Sequence, residues 1–442
     1  MEYVPNILFA IALIVGVGYF TRNVKKLSRN IKLGKDVDVS DNKPQRWQNM
    51  LRIALGQTKM VVRPVAGIMH IFVYVGFIII NIEVLEIILD GLFGTHRLFS
   101  SLGSLYNFLI GSFEILAFLV IVAVVVFWIR RNIIRLQRFI KPEMKGWPKK
   151  DGNMILYIEF VLMTLFLTMN AADSQLQQLG AEHYAQAGSF PISQFLTPLL
   201  SGMSESGLMM VERTAWWLHI LGILAFLNYL YYSKHLHILL AFPNTYFGKV
   251  KPKGQLDNLQ SVTNEVKLMM DPNADPFAAP ATTDAAAVPE KFGASDVMDL
   301  NWVQLLNAYT CTECGRCTSE CPANQTGKKL SPRKIMMDTR DRLEEVGKNM
   351  DANKGEFKPD GKQLLDDYIS REELWACTTC NACVQACPVS IDPLSIIVEM
   401  RRYLVMEQSA APMELNNMMS NIENNGAPWP YNQMDRLNWV NE

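Results

Sequence analysis

The sequence predicts a mainly α-helical chain in two parts, a five-helix bundle that crosses a membrane and then a helical domain built around cysteines. Three observations carry this. Five apolar runs, at roughly 4–20, 65–89, 105–129, 152–170 and 214–242, reach or approach the about 20 residues that a helix needs to cross a bilayer. All eight cysteines of the 442 residues lie after the last run, in two copies of Cys-x2-Cys-x2-Cys-x3-Cys-Pro. Basic residues crowd into alternate connections between the runs.

Taken in order, the first run begins at Val4 and is followed by Arg22, Lys25 and Lys26 with no small-residue cleavage site, which reads as a retained span rather than a signal peptide. The connection from Arg22 to Arg63 is basic. So is the one after the third run, with Arg130, Arg131, Arg135, Arg138, Lys141, Lys145, Lys149 and Lys150. The second connection holds Arg97 alone, and the fourth has no Lys or Arg up to Val211. The positive-inside rule then predicts an N-terminus outside and a chain that enters the cytoplasm after residue 242, in the inner (cytoplasmic) membrane of a prokaryote. Within the loop from Asn170 to Val211, the apolar stretch Phe190 to Met203 is interrupted by Pro191 and Pro198. It is expected to be interfacial or re-entrant, not a sixth span.

Residues 1–245 are thus expected to form the membrane domain, and 246–297 a connector whose stretch 271–295, rich in Ala, Pro and Asp, reads as a flexible linker. Residues 298–412 are the expected cysteine domain, with helices over Asp299–Asn307, Ser331–Leu343 and Pro393–Met406. Residues 413–442 form a tail, to which Trp429, Tyr431 and Trp439 lend no evident chemistry. The chain is 49% apolar and 19% charged, and its net charge of -1 lacks the basic excess that a nucleic-acid partner would require.

The cysteine pattern is that of two-cluster bacterial ferredoxins, in which three close cysteines hold one iron-sulfur cube and the fourth, before the proline, crosses to the other. This assigns Cys311, Cys314, Cys317 and Cys387 to one [4Fe-4S] cluster, and Cys321, Cys377, Cys380 and Cys383 to the second. Zinc sites pair two CxxC units over a longer gap, and neither needs the third cysteine nor the Cys-Pro. Thiolates kept for clusters also suit a reducing compartment, in agreement with the charge rule.

Four histidines, His70, His219, His235 and His237, lie in the predicted spans, where polar side chains are costly. His219 and His237 are eighteen residues apart, which on one continuous helix places them on one face about 27 Å apart, with His235 nearly opposite. His70 and His237 come at equal depth near the cytoplasmic end. Equal depth on two helices is what a haem b held by two imidazoles needs. Each histidine also has a bland reading, a hydrogen bond to a neighbouring helix. A second haem at His219 would want a partner ten residues beyond His70, where Ile80 stands; His219 is also placed to meet a quinone oxygen or His96. Glu83, Glu86, Glu114 and Glu159 lie within spans too, and Glu83 and Glu86 with His219 mark the outer half as the expected quinone and proton region.

With these residues in view, the membrane part resembles the gamma subunit of respiratory nitrate reductases, with five spans, an early histidine in the second helix and an eighteen-residue histidine pair in the fifth. The stretch from Trp302 to Leu343 and the segment YYSKHLHI at 231–238 are similar to membrane-bound heterodisulfide-reductase-related proteins, among them electron-transfer-flavoprotein:menaquinone oxidoreductases. The resemblance implies transfer of single electrons between a cytoplasmic flavoprotein, two clusters, haem b and menaquinone. Longer members carry cysteine-rich CCG repeats, and this sequence has none after Cys387. The resemblance therefore implies a separate CCG subunit or a donor that docks directly. No Gly-rich phosphate loop is present, so flavin chemistry is expected from a partner. Two other readings fit the same residues, the anchor of another flavin dehydrogenase such as a glycerol-3-phosphate type, and a membrane redox sensor.

Overall fold

The computed structural model describes residues 3–272 and 291–440. Five helices in these residues are long and apolar enough to cross a membrane. They are α1 (Val4–Ile31), then, after the short α2 (Lys43–Met50), α3 (Pro64–Phe93), α4 (Ser104–Asn132), α5 (Trp147–Leu179) and α6 (Glu205–Tyr229). Each packs on the next, and α1 closes the ring by lying against both α6 and α3. Glycines set the close approaches: a Cβ at Gly76 would stand 2.6 Å from Val120 of α4, and one at Gly91 2.7 Å from the Phe9 ring of α1.

The first span is longer than its apolar run. Its last turns leave the bundle and dock on the cysteine domain, where Asn30 Nδ2 donates to the Tyr309 hydroxyl at 3.0 Å and Lys26 and Arg29 both pair with Asp351. The fifth span departs further from expectation. The helix ends at Tyr229, and the chain passes through two tight turns, Leu230–Tyr232 and Lys234–Leu236, about an extended Ser233. A separate helix, α7 (His237–Tyr246), follows. The break has a cause in hydrogen bonding. Asp151 accepts from the Lys234 backbone N–H at 3.2 Å, and Ser233 Oγ accepts from the His235 N–H at 3.1 Å, so neither group is left to continue the α-helical ladder.

Beyond Asn170, α5 runs on to Leu179 where a loop was expected. The apolar stretch around Phe190 forms only the turns Ser193–Phe195 and Thr197–Leu200, not a membrane-length helix. Its backbone is tied to the bundle by Glu114, which accepts from the N–H groups of Ile192 (2.8 Å) and Ser193 (3.0 Å). Irregular backbone survives at such depth only with partners of this kind.

The cysteine domain is helix and loop, with no sheet among the described residues. Its main helices are α8 (Trp302–Thr310), α9 (Pro332–Ala352) and α10 (Pro393–Met406). α8 opens with a reciprocal cap between Asn301 and Gln304, three residues later than Asp299, and α9 opens with Ser331 accepting from Lys334 N and Pro332 in its first turn. α9 also continues nine residues past Leu343. Most of the expected linker, residues 273–290, lies outside the described residues. Its end does not behave as a linker: Ala294 is fully buried and its N–H donates to the Glu399 carbonyl at 3.0 Å. In the tail, α11 (Met413–Asn425) buries no residue. One apolar core runs through both parts, joining Leu27, Leu230 and Leu236 to Leu305, Ile335 and Ile396.

Candidate redox centres

The two cysteine motifs fold alike. In each, the residues before and after the second cysteine are left-handed: Glu313 (φ 54°) and Gly315 (φ 70°) around Cys314, and Thr379 (φ 55°) and Asn381 (φ 61°) around Cys380. Alternation of this kind turns backbone N–H groups into a concavity that suits an anionic group such as an iron-sulfur cluster. A short helix then carries the third cysteine, Arg316–Ser319 in the first motif and Ala382–Ala386 in the second. Cys321 leaves its own motif and lines one small pocket with Cys377, Cys380 and Cys383. Cys387 makes the opposite crossing and comes within electrostatic reach of Cys314 and Cys317.

Burial pushes the thiols of Cys311 and Cys383 up to about 12 and that of Cys387 to about 11, so thiolates there need a metal to hold them. Backbone N–H groups already point at sulfur, Ile391 N at Cys387 Sγ (3.3 Å) and Thr379 N at Cys377 Sγ (3.4 Å). Among the described residues, no three His, Cys, Asp or Glu side chains gather closely enough for a single metal ion. The donor chemistry, thiols with backbone N–H groups aimed at sulfur, fits an iron-sulfur cluster.

The first motif reaches the membrane part through Glu313. Its buried carboxylate pairs with Lys234 and, at 2.8 Å, with Arg340. Burial opposes its ionisation, yet Lys234 and Arg340 hold it below the usual carboxylate range. The Lys234 carbonyl in turn accepts from His237 Nδ1 at 3.1 Å, which leaves Nε2 as that ring's free nitrogen. The His237 ring centre is 6.4 Å from that of His70, with the planes 45° apart. A metal between two imidazole nitrogens at about 2.0 Å each brings the ring centres to about 6.3 Å. His70 lies six residues inside α3, while His237 is no longer part of the fifth span. The bend at Ser233 brings it back to the level of His70. It also overturns the opposite-face placement of His235, whose ring is 5.5 Å from that of His237 and whose Nε2 is 3.4 Å from Glu159.

At the far end of the bundle, a cavity of about 430 Å³ opens among α1, α3, α5 and α6. Glu83 and Glu86 line it, with His96, Arg97, Asp173 and Trp216. Glu86 accepts from the Tyr106 hydroxyl at 2.9 Å and the Phe99 N–H at 2.7 Å, whereas Glu83 Oε2 is buried without a partner. His219 does not line this cavity. Its Nδ1 donates to the Leu162 carbonyl at 2.9 Å beside the Phe166 ring, and the ring next to His96 is that of Tyr184. Ile80 is packed in the apolar core with Ile220. The buried Arg97–Asp173 pair escaped the reading of the sequence, although Arg97, the lone base of its connection, was a signal for it.

Residues 310–391 match the model of the 4Fe-4S dicluster domain. The chain is 30% identical to the probable iron-sulfur-binding oxidoreductase FadF of Bacillus subtilis, over 99% of its own length and 61% of that relative. Its homologues are iron-sulfur oxidoreductases. It is 26% identical to the EtfAB:quinone oxidoreductase of Syntrophomonas wolfei, over 95% of this chain and 57% of the relative, so it spans about three fifths of either protein. A probable membrane-anchored ferredoxin of Chromohalobacter salexigens is 34% identical over 34% of this chain and 24% of its own length. No solved structure matches.

Proposed function

We propose that this chain carries single electrons between a soluble donor and a membrane quinone of the menaquinone type, through two [4Fe-4S] clusters and one haem b. The observation that carries the reading is the 6.4 Å separation of the His70 and His237 rings, beside a domain of cluster-binding cysteines. Cys311, Cys314, Cys317 and Cys387 hold one cluster, and Cys321, Cys377, Cys380 and Cys383 the other. His70 and His237 would hold the haem b, which would supply one-electron chemistry there. The far-end cavity falls within the about 300–1,000 Å³ usual for ligand sites, and its buried carboxylates suit the proton traffic of a quinone.

The donor is a flavoprotein or a CCG-type iron-sulfur subunit, a reading supported by the relative named for EtfAB and quinone. The basic connections support a topology with the cysteine end in the cytoplasm and the N-terminus and cavity outside. The test is a set of anaerobic difference spectra on membranes that contain the protein. His70→Ala and His237→Ala are each expected to abolish one low-spin haem b spectrum, and His235→Ala to keep it. A low-spin spectrum that survives in His237→Ala would sink the assignment.

A further inference from the structure

The two cysteine cages differ in their surroundings. The loop between Gly56 and Arg63 leads straight into α3, the helix of His70, and it grips one cage from two sides. Lys59 Nζ donates to the Cys387 carbonyl at 3.1 Å and to Ser390 Oγ at 3.2 Å. Arg316, between Cys314 and Cys317, answers with Nη1 to the Lys59 carbonyl at 2.9 Å and Nη2 to that of Met60 at 3.3 Å. Arg63 adds Ser319 and Glu320, both at 2.9 Å. A fourth cation, Arg138 of the next basic connection, faces Cys314 with its Nε buried and unpartnered. Arg316 is also within electrostatic reach of His70.

Among the described residues the other cage has no such collar. Arg401 is a cation near it, donating to the carbonyls of Leu374 and Cys377 at 2.5 Å, and the half-buried carboxylate of Asp392 faces Cys383. Each cage has two buried cysteines, Cys311 and Cys387 in the first and Cys321 and Cys383 in the second, but only the second has an exposed one, Cys380, with Thr378 and Thr379 exposed beside it.

Resting on the two-cluster reading proposed above, we infer that Lys59 and Arg316 give the two cages fixed stations. The cage of Cys311, Cys314, Cys317 and Cys387 is the high-potential exit toward His70, and the cage with exposed Cys380 is the entry that meets the soluble donor. The physical reason is charge. Reduction adds one negative charge to a group already ringed by thiolates, and nearby cations favour that reduced form, which raises its potential. One electron passes from a reduced flavin or iron-sulfur donor to the entry cage and on to the exit cage. No bond is made or broken, and no proton is required at either.

The test is a redox titration of the whole protein, anaerobic and in detergent, followed by electron paramagnetic resonance. Lys59→Met and Arg316→Met are expected to lower the midpoint potential of the same single cluster, and Lys59→Arg to restore it. Cys380→Ser is expected to alter the signal of the other cluster, and an added dysprosium chelate to speed the relaxation of that other cluster alone. The inference is overturned if the Lys59 variant shifts neither potential, if its shift falls on the cluster that Cys380→Ser alters, or if dysprosium acts on the Lys59-linked cluster. Should Arg316→Met fail to fold, Lys59→Met still decides. None of these readouts uses haem, so a preparation without haem would sink the His70–His237 reading and leave the two stations tested.

Discussion

Gly315 and Asn381 hold the same left-handed place in the two cysteine turns, but they are not interchangeable. A Cβ at Gly315 would stand 2.4 Å from Nη1 of Arg333, a guanidinium that is wholly buried and donates to the Arg138 carbonyl and to Glu143. Gly315→Ala therefore adds a clash to the about 1 kcal/mol that a left-handed alanine costs. It is expected to reduce the iron bound per chain and the melting temperature, whereas Asn381→Gly changes both little; iron analysis and thermal unfolding of both variants check this. At the far end, Glu86→Gln keeps an oxygen to accept from Phe99, but its amide nitrogen can only donate to the Tyr106 oxygen, and it cannot hold a proton in transit. It is expected to slow reduction of the haem by added quinol at least tenfold while leaving the haem spectrum unchanged, as stopped-flow absorption would read. Unslowed reduction would remove Glu86 from the proton route.

At the scale of elements, the five spans and the cysteine domain were legible because their chemistry dictates pattern: crossing a bilayer demands length without charge, and cluster ligation demands fixed cysteine spacing. α10 falls where the sequence put it, Pro393–Met406. The bend at Ser233 was not legible. The segment from Tyr231 to Leu240 stays apolar enough to read as one helix, and although Ser233 itself takes one N–H from the ladder, the group that takes the Lys234 N–H, Asp151, comes from elsewhere in the chain, as does Glu313, which holds the Lys234 side chain. The cation collar was hidden for the same reason, since Lys59 and Cys387 meet only across the fold. The bent segment gives its own prediction. Lys234→Met leaves buried Glu313 with Arg340 alone, and loss of one partner of a buried ion pair costs about 3–5 kcal/mol, here toward the lower end. Thermal unfolding should show that loss, and the haem band should shift as His237 loses the anchorage of its neighbour.

Over the whole molecule, the two parts are docked by ion pairs as well as by their shared core. Arg333 meets Glu143 of the membrane part at 2.7 Å, and the Ser331 hydroxyl donates to the same oxygen at 2.7 Å. Burial resists the ionisation of Glu143, but Arg333 and Ser331 prevail and hold its carboxyl below the usual range. A carboxylate depressed in the folded state contributes stability that is complete above its ordinary value, near 4.5, and is lost as pH falls through the lower folded value. Hydrogen exchange at the start of α9 is thus expected to rise below pH 4.5. In Glu143→Gln it should already be raised at neutral pH and change less on acidification; equal profiles would refute the role of this pair. The path from Glu313 through Lys234 to His237 bears on how the protein is made. Lys234 waits for Glu313, 79 residues downstream, so on the ribosome the histidine is exposed well before the mould that orients it. On the proposed reading maturation has a sequence, cysteine domain first and the His70–His237 site afterwards, and a cell starved of iron-sulfur assembly would be expected to accumulate this chain in the membrane without the proposed haem.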